Sequence, residues 1–329
     1  MALTEEGLMF VPGVLSRYAR LQSGTIAHYM TAGETGRSIV LLHGGIAGSG
    51  GIAGWRFMLP FLAEQGYRVY APDRPGFGLC DTRPGFMMEK GVRDQVRFIR
   101  ELVEAVGIEE PFFLAGNSQG AQMGSSYAVE YPDTIDRMIL IASPAFHARM
   151  GLGNGMGRGN LARQGPFDGT TTWMRNTMEG LILNQAAITD DLVEMRTRIG
   201  VRDREVLAAC QEWSRKESSE PGIQQSINLK GRLDKITIPT IFLWGQQDAI
   251  APVEMAYELE AVLPNMQFFC PDNCGHQGQT DQPEMFAQVF LEFFRDGRVS
   301  RKTADWAGVS DKRPEIPSLV EQPAAAVAR

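Results

Sequence analysis

The sequence predicts an α/β protein built on a mainly parallel sheet and interrupted by one helical insertion. Short, continuously apolar runs alternate with amphipathic stretches through the first half of the chain, and each run ends in a turn rich in glycine or proline. The rhythm stops after Pro144 and resumes at Thr240. A strand that is apolar along its whole length is buried on both faces, as in a parallel sheet covered by helices.

The elements follow in order. Leu21 to Met30 is assigned to part of an antiparallel entry hairpin. Ser38 to Leu42 is an apolar run ending in His43-Gly44-Gly45, and Tyr67 to Ala71 is another, ending in Pro72-Asp73-Arg74-Pro75-Gly76. Between Lys90 and Gly107, Val92, Val96, Ile99, Val103 and Val106 recur at helical spacing, and the glycine supplies the stop. Phe112 to Ala115 is a strand, followed by a helix to about Tyr131 and a strand from Arg137 to Ala142. Residues 148–170 are rich in Gly, Met and Arg, and helical segments at 171–186, 188–199 and 203–216 follow without a strand between them. Thr240 to Trp244 restores the pattern, then a helix from Pro252 to Leu263, a strand from Gln267 to Cys270 and an amphipathic helix from Pro283 to Phe294. This divides the chain into a core, 1–145 and 233–297, a helical cap, 146–232, and a C-terminal tail, 298–329. The tail's charge, its prolines at 314 and 317 and its alanine run predict partial disorder. The Met/Gly-rich stretch at 148–159 suits the lining of a large apolar pocket and a mobile surface loop equally.

Composition narrows the function classes. The chain has 329 residues, 43% of them hydrophobic, enough for a sizeable core. A net charge of −7 argues against a nucleic-acid surface. No run of about 18 apolar residues suggests a membrane span, and the N-terminus lacks the basic-then-apolar pattern of a secretory signal, so a cytoplasmic location is expected. Four scattered cysteines (Cys80, Cys210, Cys270, Cys274) read as reduced thiols rather than a disulfide framework or zinc site. No metal and no organic cofactor are expected.

The chemistry concentrates at Gly116-Asn117-Ser118-Gln119-Gly120, where a strand meets a helix. A G-x-S-x-G turn in that context holds its serine in a strained conformation with the hydroxyl exposed, and small neighbours are needed to avoid clashes. A serine hydroxyl becomes a nucleophile only when a base takes its proton. Of the four histidines, His276 lies in a loop after the last strand and before the last helix, whereas His43 heads a glycine turn, and His28 and His147 read as surface or packing residues. The carboxylate that orients the base is expected after a strand and between serine and histidine. Asp248 fits, and its rival Asp272 is too close to His276 on the same loop. A tetrahedral oxyanion requires two convergent N–H donors. One is expected from Gln119, directly after the serine, and the other from the turn at His43-Gly44-Gly45-Ile46, with Gly45 favoured. Glycine at 44 also lets main chain approach a substrate.

On these residues the chain resembles the α/β-hydrolases, and more narrowly the meta-cleavage product hydrolases, over about residues 20–297. The resemblance rests on His43-Gly44-Gly45, the stretch Asp73 to Asp81, Gly116 to Gly120, Trp244 to Asp248 and Cys274-Gly275-His276. It implies an α/β-hydrolase fold with a mainly parallel eight-stranded sheet and a helical cap, and cleavage of a carbon–carbon bond in a vinylogous 1,5-diketone produced by aromatic ring fission. The cap segment Ile188 to Arg196 is similar to a family segment whose arginine grips the substrate carboxylate, so Arg196 takes that role. Asn117 matches an asparagine that helps shape the polar end of the site. Arg198 is expected in solvent. The family's usual tryptophan after the histidine is replaced by Gln277, an asparagine after the oxyanion turn by Gly54, and the apolar residue after the serine by Gln119.

The implied ligand is a small molecule with an apolar or aryl part and a carboxylate. Association into a homo-oligomer stays open. Ester or lactone hydrolysis with the same triad, and a hydrolase-like receptor binding a small ligand beneath the cap, are the rival readings.

Overall fold

The computed structural model describes residues 3–83, 86, 91–153 and 165–322, apart from the side chains of 207, 210, 211, 214, 217 and 218. Eight strands, β1 (Leu15–Arg20), β2 (Ile26–Ala32), β3 (Ser38–Leu42), β4 (Arg68–Pro72), β5 (Phe112–Asn117), β6 (Ile135–Ile141), β7 (Thr240–Leu243) and β8 (Met266–Phe269), make one sheet. Its order is β1-β2-β4-β3-β5-β6-β7-β8. The β1–β2 and β2–β4 pairs are antiparallel and the rest parallel. The parallel part of the sheet therefore starts near the middle at β3, crosses to β4 on one side and to β5 on the other. The carboxyl ends of β3 and β5 flank a topological switch point, where α/β sheets leave a crevice.

The central strands are apolar because both faces are covered. Every residue of β3, β5, β7 and β8 is buried. Helices α1 (Gly51–Trp55), α2 (Met58–Glu64), α3 (Val92–Val106), α4 (Gln119–Glu130) and α5 (Pro144–Arg149) are interleaved with β3 to β6. Helix α3 ends as its sequence dictates, with Gly107 in the left-handed conformation closing it. The cap contains α6 (Thr171–Leu181), α7 (Asp190–Arg202), α8 (Arg204–Ser219) and α9 (Pro221–Ile227). The core resumes with β7, α10 (Glu254–Val262), β8, α11 (Gly278–Asp281) and α12 (Pro283–Asp296), and α13 (Arg301–Trp306) lies beyond it. Phe294 of α12 stacks on Phe113 of β5 with centroids 4.7 Å apart, which seats that helix on the sheet.

The largest departures from the sequence reading are at the first cap helix and the tail. Leu21 to Met30 is part of the entry hairpin as expected, with Leu21 to Thr25 its turn, closed by Leu21 N–H on the Thr25 carbonyl and Gly24 N–H on the Leu21 carbonyl. The first cap helix ends at Leu181 rather than 186, because the N–H groups of Leu183 and Asn184 donate to the Asp281 carboxylate instead of continuing the helix. The tail is folded rather than disordered through residue 322. Residues 298–322 wrap the β8 edge, burying Val299, Ala304, Ala307, Leu319 and Val320. Cys270 N–H donates to the Gly308 carbonyl and Ser310 N–H to the Phe268 carbonyl. Composition suggests disorder there, but a few spaced apolar residues suffice once an open sheet edge supplies backbone partners. The alanine run from 324, and the second half of the Met/Gly-rich stretch at 148–159, lie outside the described residues.

Candidate active site

Ser118 sits between β5 and α4 with φ 58° and ψ −120°, a conformation a non-glycine residue adopts only under local constraint. The constraint is mutual. A Cβ on Gly116 would collide with the Gly120 carbonyl group, and a Cβ on Gly120 with the carbonyl of Leu42. Both glycines are thus required for the strand-to-helix turn to close against β3. The Ser118 backbone is held on both sides, its N–H donating to the Ile141 carbonyl at 2.8 Å and its carbonyl accepting the Ser143 hydroxyl at 2.6 Å. The residue stays half-buried at the start of α4.

His276 and Asp248 meet on the loops that follow β8 and β7. The imidazole Nδ1 lies 2.7 Å from Asp248 Oδ2, both groups buried. Asp248 Oδ1 accepts the N–H groups of Ile250 and Ala251, each at 2.8 Å, so neither carboxylate oxygen is idle. A carboxylate acceptor at Nδ1 favours the tautomer with the ring proton on that nitrogen. Asp272 is directed elsewhere and accepts from the Gln247 amide.

The loop carrying His276 is tied to three other elements. Asn117 Nδ2 donates to the His276 carbonyl at 3.0 Å and to the Ile141 carbonyl at 3.4 Å. His276 N–H donates to the Leu181 carbonyl of the cap at 3.0 Å. Asp281 Oδ2 accepts Gly275 N–H while its Oδ1 takes Leu183 and Asn184, clamping the histidine loop to the cap. Burial raises the Asp281 pKa, against the three N–H donors that pull it down. The sequence reading does not find Asp281; a lone aspartate in a short helix carries no signal until the fold brings 183 and 275 to it.

The glycine turn after β3 lies against Ser118: a Cβ on Gly44 would be 3.3 Å from Ser118 Cβ. Gly45 faces the Gln119 side chain, whose carboxamide oxygen a Cβ there would strike. Arg74 is a second residue that sequence reasoning does not find. It is 1% exposed, and its Nη1 donates to the Gly44 carbonyl at 3.2 Å and to Gln119 Oε1 at 2.7 Å.

Arg196 projects from α7 into the protein and is 1% exposed. Nη2 reaches the Ala47 carbonyl at 3.4 Å, two residues beyond Gly45, and Nε has no hydrogen-bond partner. Among the described residues no carboxylate pairs with it. Burial lowers its pKa to about 10, so it stays cationic at neutral pH. Arg56, also buried, is held to about 10 by burial and by the charge of Arg196, and donates to the carbonyls of Ala53 and Ala187. Arg196 and Arg56 are thus two buried cations whose side-chain hydrogen bonds go to backbone carbonyls, with no carboxylate paired to either among the described residues. Arg198, on the same helix, is exposed and paired with Glu194, as expected.

The remaining histidines are packed. His28 bridges Ser16 and Asp73, and His147 pairs with Glu258. Cys80, Cys270 and Cys274 are buried free thiols. Gln277 is buried with Oε1 unpartnered. Among the described residues, no helix is long and apolar enough to cross a membrane.

Known proteins share this chain's fold and part of its sequence. Two hydrolases of Comamonas testosteroni are similar in sequence. The 2-hydroxy-6-oxononadienedioate/2-hydroxy-6-oxononatrienedioate hydrolase is 29% identical over 82% of this chain and 91% of its own. The 2-hydroxy-6-oxo-6-phenylhexa-2,4-dienoate hydrolase is 28% identical over 86% and 97%. Among solved structures, the meta-cleavage product hydrolase CumD of Pseudomonas fluorescens IP01 superposes with a TM-score of 0.70 at 24% identity, covering 86% of this chain and 98% of that one, a likeness of fold. The family model described as the alpha/beta hydrolase fold matches residues 37–283, from β3 to the start of α12, which takes in the glycine turn, the serine turn, the cap and the histidine loop. With three quarters of its length matched and its strands in this order, the chain belongs to the alpha/beta hydrolase fold family.

Proposed function

We propose that this protein is a serine hydrolase that cleaves a carbon–carbon bond beside a ketone in a vinylogous 1,5-diketone bearing a carboxylate. The observation that carries the substrate class is Arg196, a fully buried guanidinium with an unpartnered Nε and no acidic neighbour among the described residues. Such a group is stable in the folded protein when a ligand anion completes it, and a guanidinium offers a carboxylate paired donors. The two relatives above are named for 2-hydroxy-6-oxo-dienoate, -dienedioate and -trienedioate substrates, each with a carboxylate beside the 2-hydroxy group and a ketone at carbon 6.

In this reading the substrate carboxylate lies against Arg196 and the distal ketone over Ser118. His276 assists conversion of the dienol to its keto form, which turns the departing fragment into a stabilised carbanion. Ser118 Oγ then adds to the ketone carbon as His276 Nε2 takes its proton, and the N–H groups of Gly45 and Gln119 hold the oxyanion. Collapse breaks the C–C bond, the leaving carbanion is protonated, and an acyl-serine remains. A water deprotonated by His276 hydrolyses it, releasing the second acid and restoring the serine. Asp248 orients the imidazole.

Ester or lactone hydrolysis by the same triad is the second reading. It is favoured by Gln277, a buried polar side chain directly after the base with an unpartnered oxygen. A screen of yellow ring-fission dienoates of different aryl size against a neutral aryl ester separates the two. Decolorisation by the native protein and not by Ser118→Ala is the expected result. Ester turnover with no decolorisation of any dienoate would transfer the assignment to the second reading. Because triad members act as a unit, His276→Ala and the double variant should lose about as much as Ser118→Ala alone.

A further inference from the structure

We infer that Arg74 and His43 are positioning residues for the oxyanion hole, acting through the peptide group that joins Gly44 to Gly45. The inference rests on the serine mechanism proposed above. The Gly44 carbonyl and the Gly45 N–H belong to one planar trans peptide, so whatever fixes the carbonyl also fixes the direction of the N–H. Between two glycines, no side chain pins that plane. Two donors pin it instead: His43 Nδ1–H at 2.7 Å and Arg74 Nη1 at 3.2 Å, both on the Gly44 oxygen.

The grip is built in layers. His43 Nε2 accepts the main-chain N–H of Arg74 at 2.9 Å, which places the ring proton on Nδ1, where it faces Gly44. Burial, and then the charge of Arg74, push the His43 pKa down to about 3, so the ring stays neutral and Nε2 keeps its lone pair for that bond. The Arg74 guanidinium lies over Phe77 at 4.6 Å, and the His43 ring meets the same Phe77 edge-on at 5.8 Å. One nitrogen, Arg74 Nη1, also donates to Gln119 Oε1 at 2.7 Å. It therefore holds the far end of the peptide whose N–H is that of Gly45 and the side chain of Gln119, the two residues whose N–H groups are proposed to hold the oxyanion. A carbonyl that accepts from a cation is polarised, and the N–H at the other end of the same amide becomes a stronger donor. The effect grows as negative charge develops on the substrate oxygen, so it favours the tetrahedral state over the bound ketone.

The test uses the full-length protein and a small neutral aryl fluorophosphonate, whose reaction with Ser118 passes through an oxyanion but needs no carboxylate site. The comparison is made among native, Arg74→Met, Arg74→Lys and Gln119→Leu proteins. Affinity for an uncharged aryl ketone is measured in parallel in a Ser118→Ala background. Phosphonylation of Arg74→Met is expected to slow about tenfold, short of the roughly 100- to 1,000-fold loss that follows removal of an oxyanion donor outright. Ketone affinity should be unchanged. Lysine should recover only part of the rate, since one ammonium on a flexible stem does not span Gly44 and Gln119 together. Gln119→Leu, at a half-buried position, should slow phosphonylation by removing one of the guanidinium's anchors, and it carries the test if Arg74 variants fail to fold. A native rate in Arg74→Met, or in Gln119→Leu when that variant stands alone, would overturn the inference. So would a rate that falls only in step with ketone affinity. Failure of the native protein to be phosphonylated at Ser118 would instead remove the serine mechanism, and this inference with it.

Discussion

The side-chain amide of Asn117 donates to the carbonyl of His276 at 3.0 Å, so the residue before the candidate nucleophile holds the main chain of the candidate base. The two residues are far apart in sequence, and this bond, with Asp281 and Leu181, sets where the imidazole stands relative to Ser118. The amide also reaches the Ile141 carbonyl, which gives Asn117 a positional duty besides any role in binding ligand.

Asn117→Ala should therefore lower kcat more than it raises KM. Small displacements of a catalytic base are costly, and a loss of about ten- to a hundredfold in kcat is expected. Steady-state kinetics on one dienoate, with a near-native Tm as the control for folding, checks this. A rise in KM alone would make Asn117 a binding residue only.

The carboxylate site has its own signature. Arg196→Ala should impair a carboxylated dienoate by roughly ten- to a hundredfold in kcat/KM, the effect of removing a charged hydrogen-bond partner worth about 1.5–3 kcal/mol. A neutral aryl ester should be affected far less, and Arg196→Lys should recover part of the rate. Equal impairment on both substrates would mean that the substitution disturbs the cap and that Arg196 does not bind the carboxylate.

Asp203, at the junction of α7 and α8, predicts a pH dependence of stability. Its side chain is buried and Oδ2 has no hydrogen-bond partner. Burial raises its pKa from 3.8 to about 8, against the opposing pull of Arg202. The folded protein then binds a proton that the unfolded chain has released between those two values, so this group's contribution to stability falls as pH rises from about 4 to 8. Asp203→Asn should flatten that fall and give a higher Tm than the native protein at pH 8. Thermal unfolding of both proteins across that range decides it; parallel curves would exclude Asp203 as the source.

Ending the chain after Gly297 should destabilise the core and open the β8 edge. The removed segment contributes buried Val299, Ala304, Leu319 and Val320, and its Ser300 and Thr303 are held by Glu292 of α12. An unpaired edge strand invites pairing with another chain. A lower Tm together with larger species in light scattering is expected. A truncated protein that is native-like in both measurements would show that the wrap is dispensable.

Much of the frame is legible in the sequence because it depends on local pattern. Continuous apolar runs mark β3, β5, β6, β7 and β8, and Gly107 marks the end of α3. The glycines around Ser118 expose the tight turn, since only residues without side chains tolerate the approach of β3. The break after Pro144 announces the cap. The first cap helix is overrun in the sequence reading because its stop comes from Asp281, about a hundred residues away, and no local residue signals it. The packed C-terminal wrap escapes for the same kind of reason: its partners are backbone groups of an edge strand, invisible in its own composition.

By itself the sequence determined the layered α/β class, the cap's place in the chain and the short set of residues able to do acyl chemistry, because strand burial, helix period and turn sterics are written in neighbouring residues. Only the tertiary structure decided which groups meet. It brought Asp248 to His276, Asn117 to the histidine loop, Arg74 to the Gly44 carbonyl and Arg196 into a buried position where no described residue supplies a counter-ion. Those relationships join distant parts of the chain, and they depend on desolvation and hydrogen-bond geometry that exist only once the sheet is wound and the cap is seated.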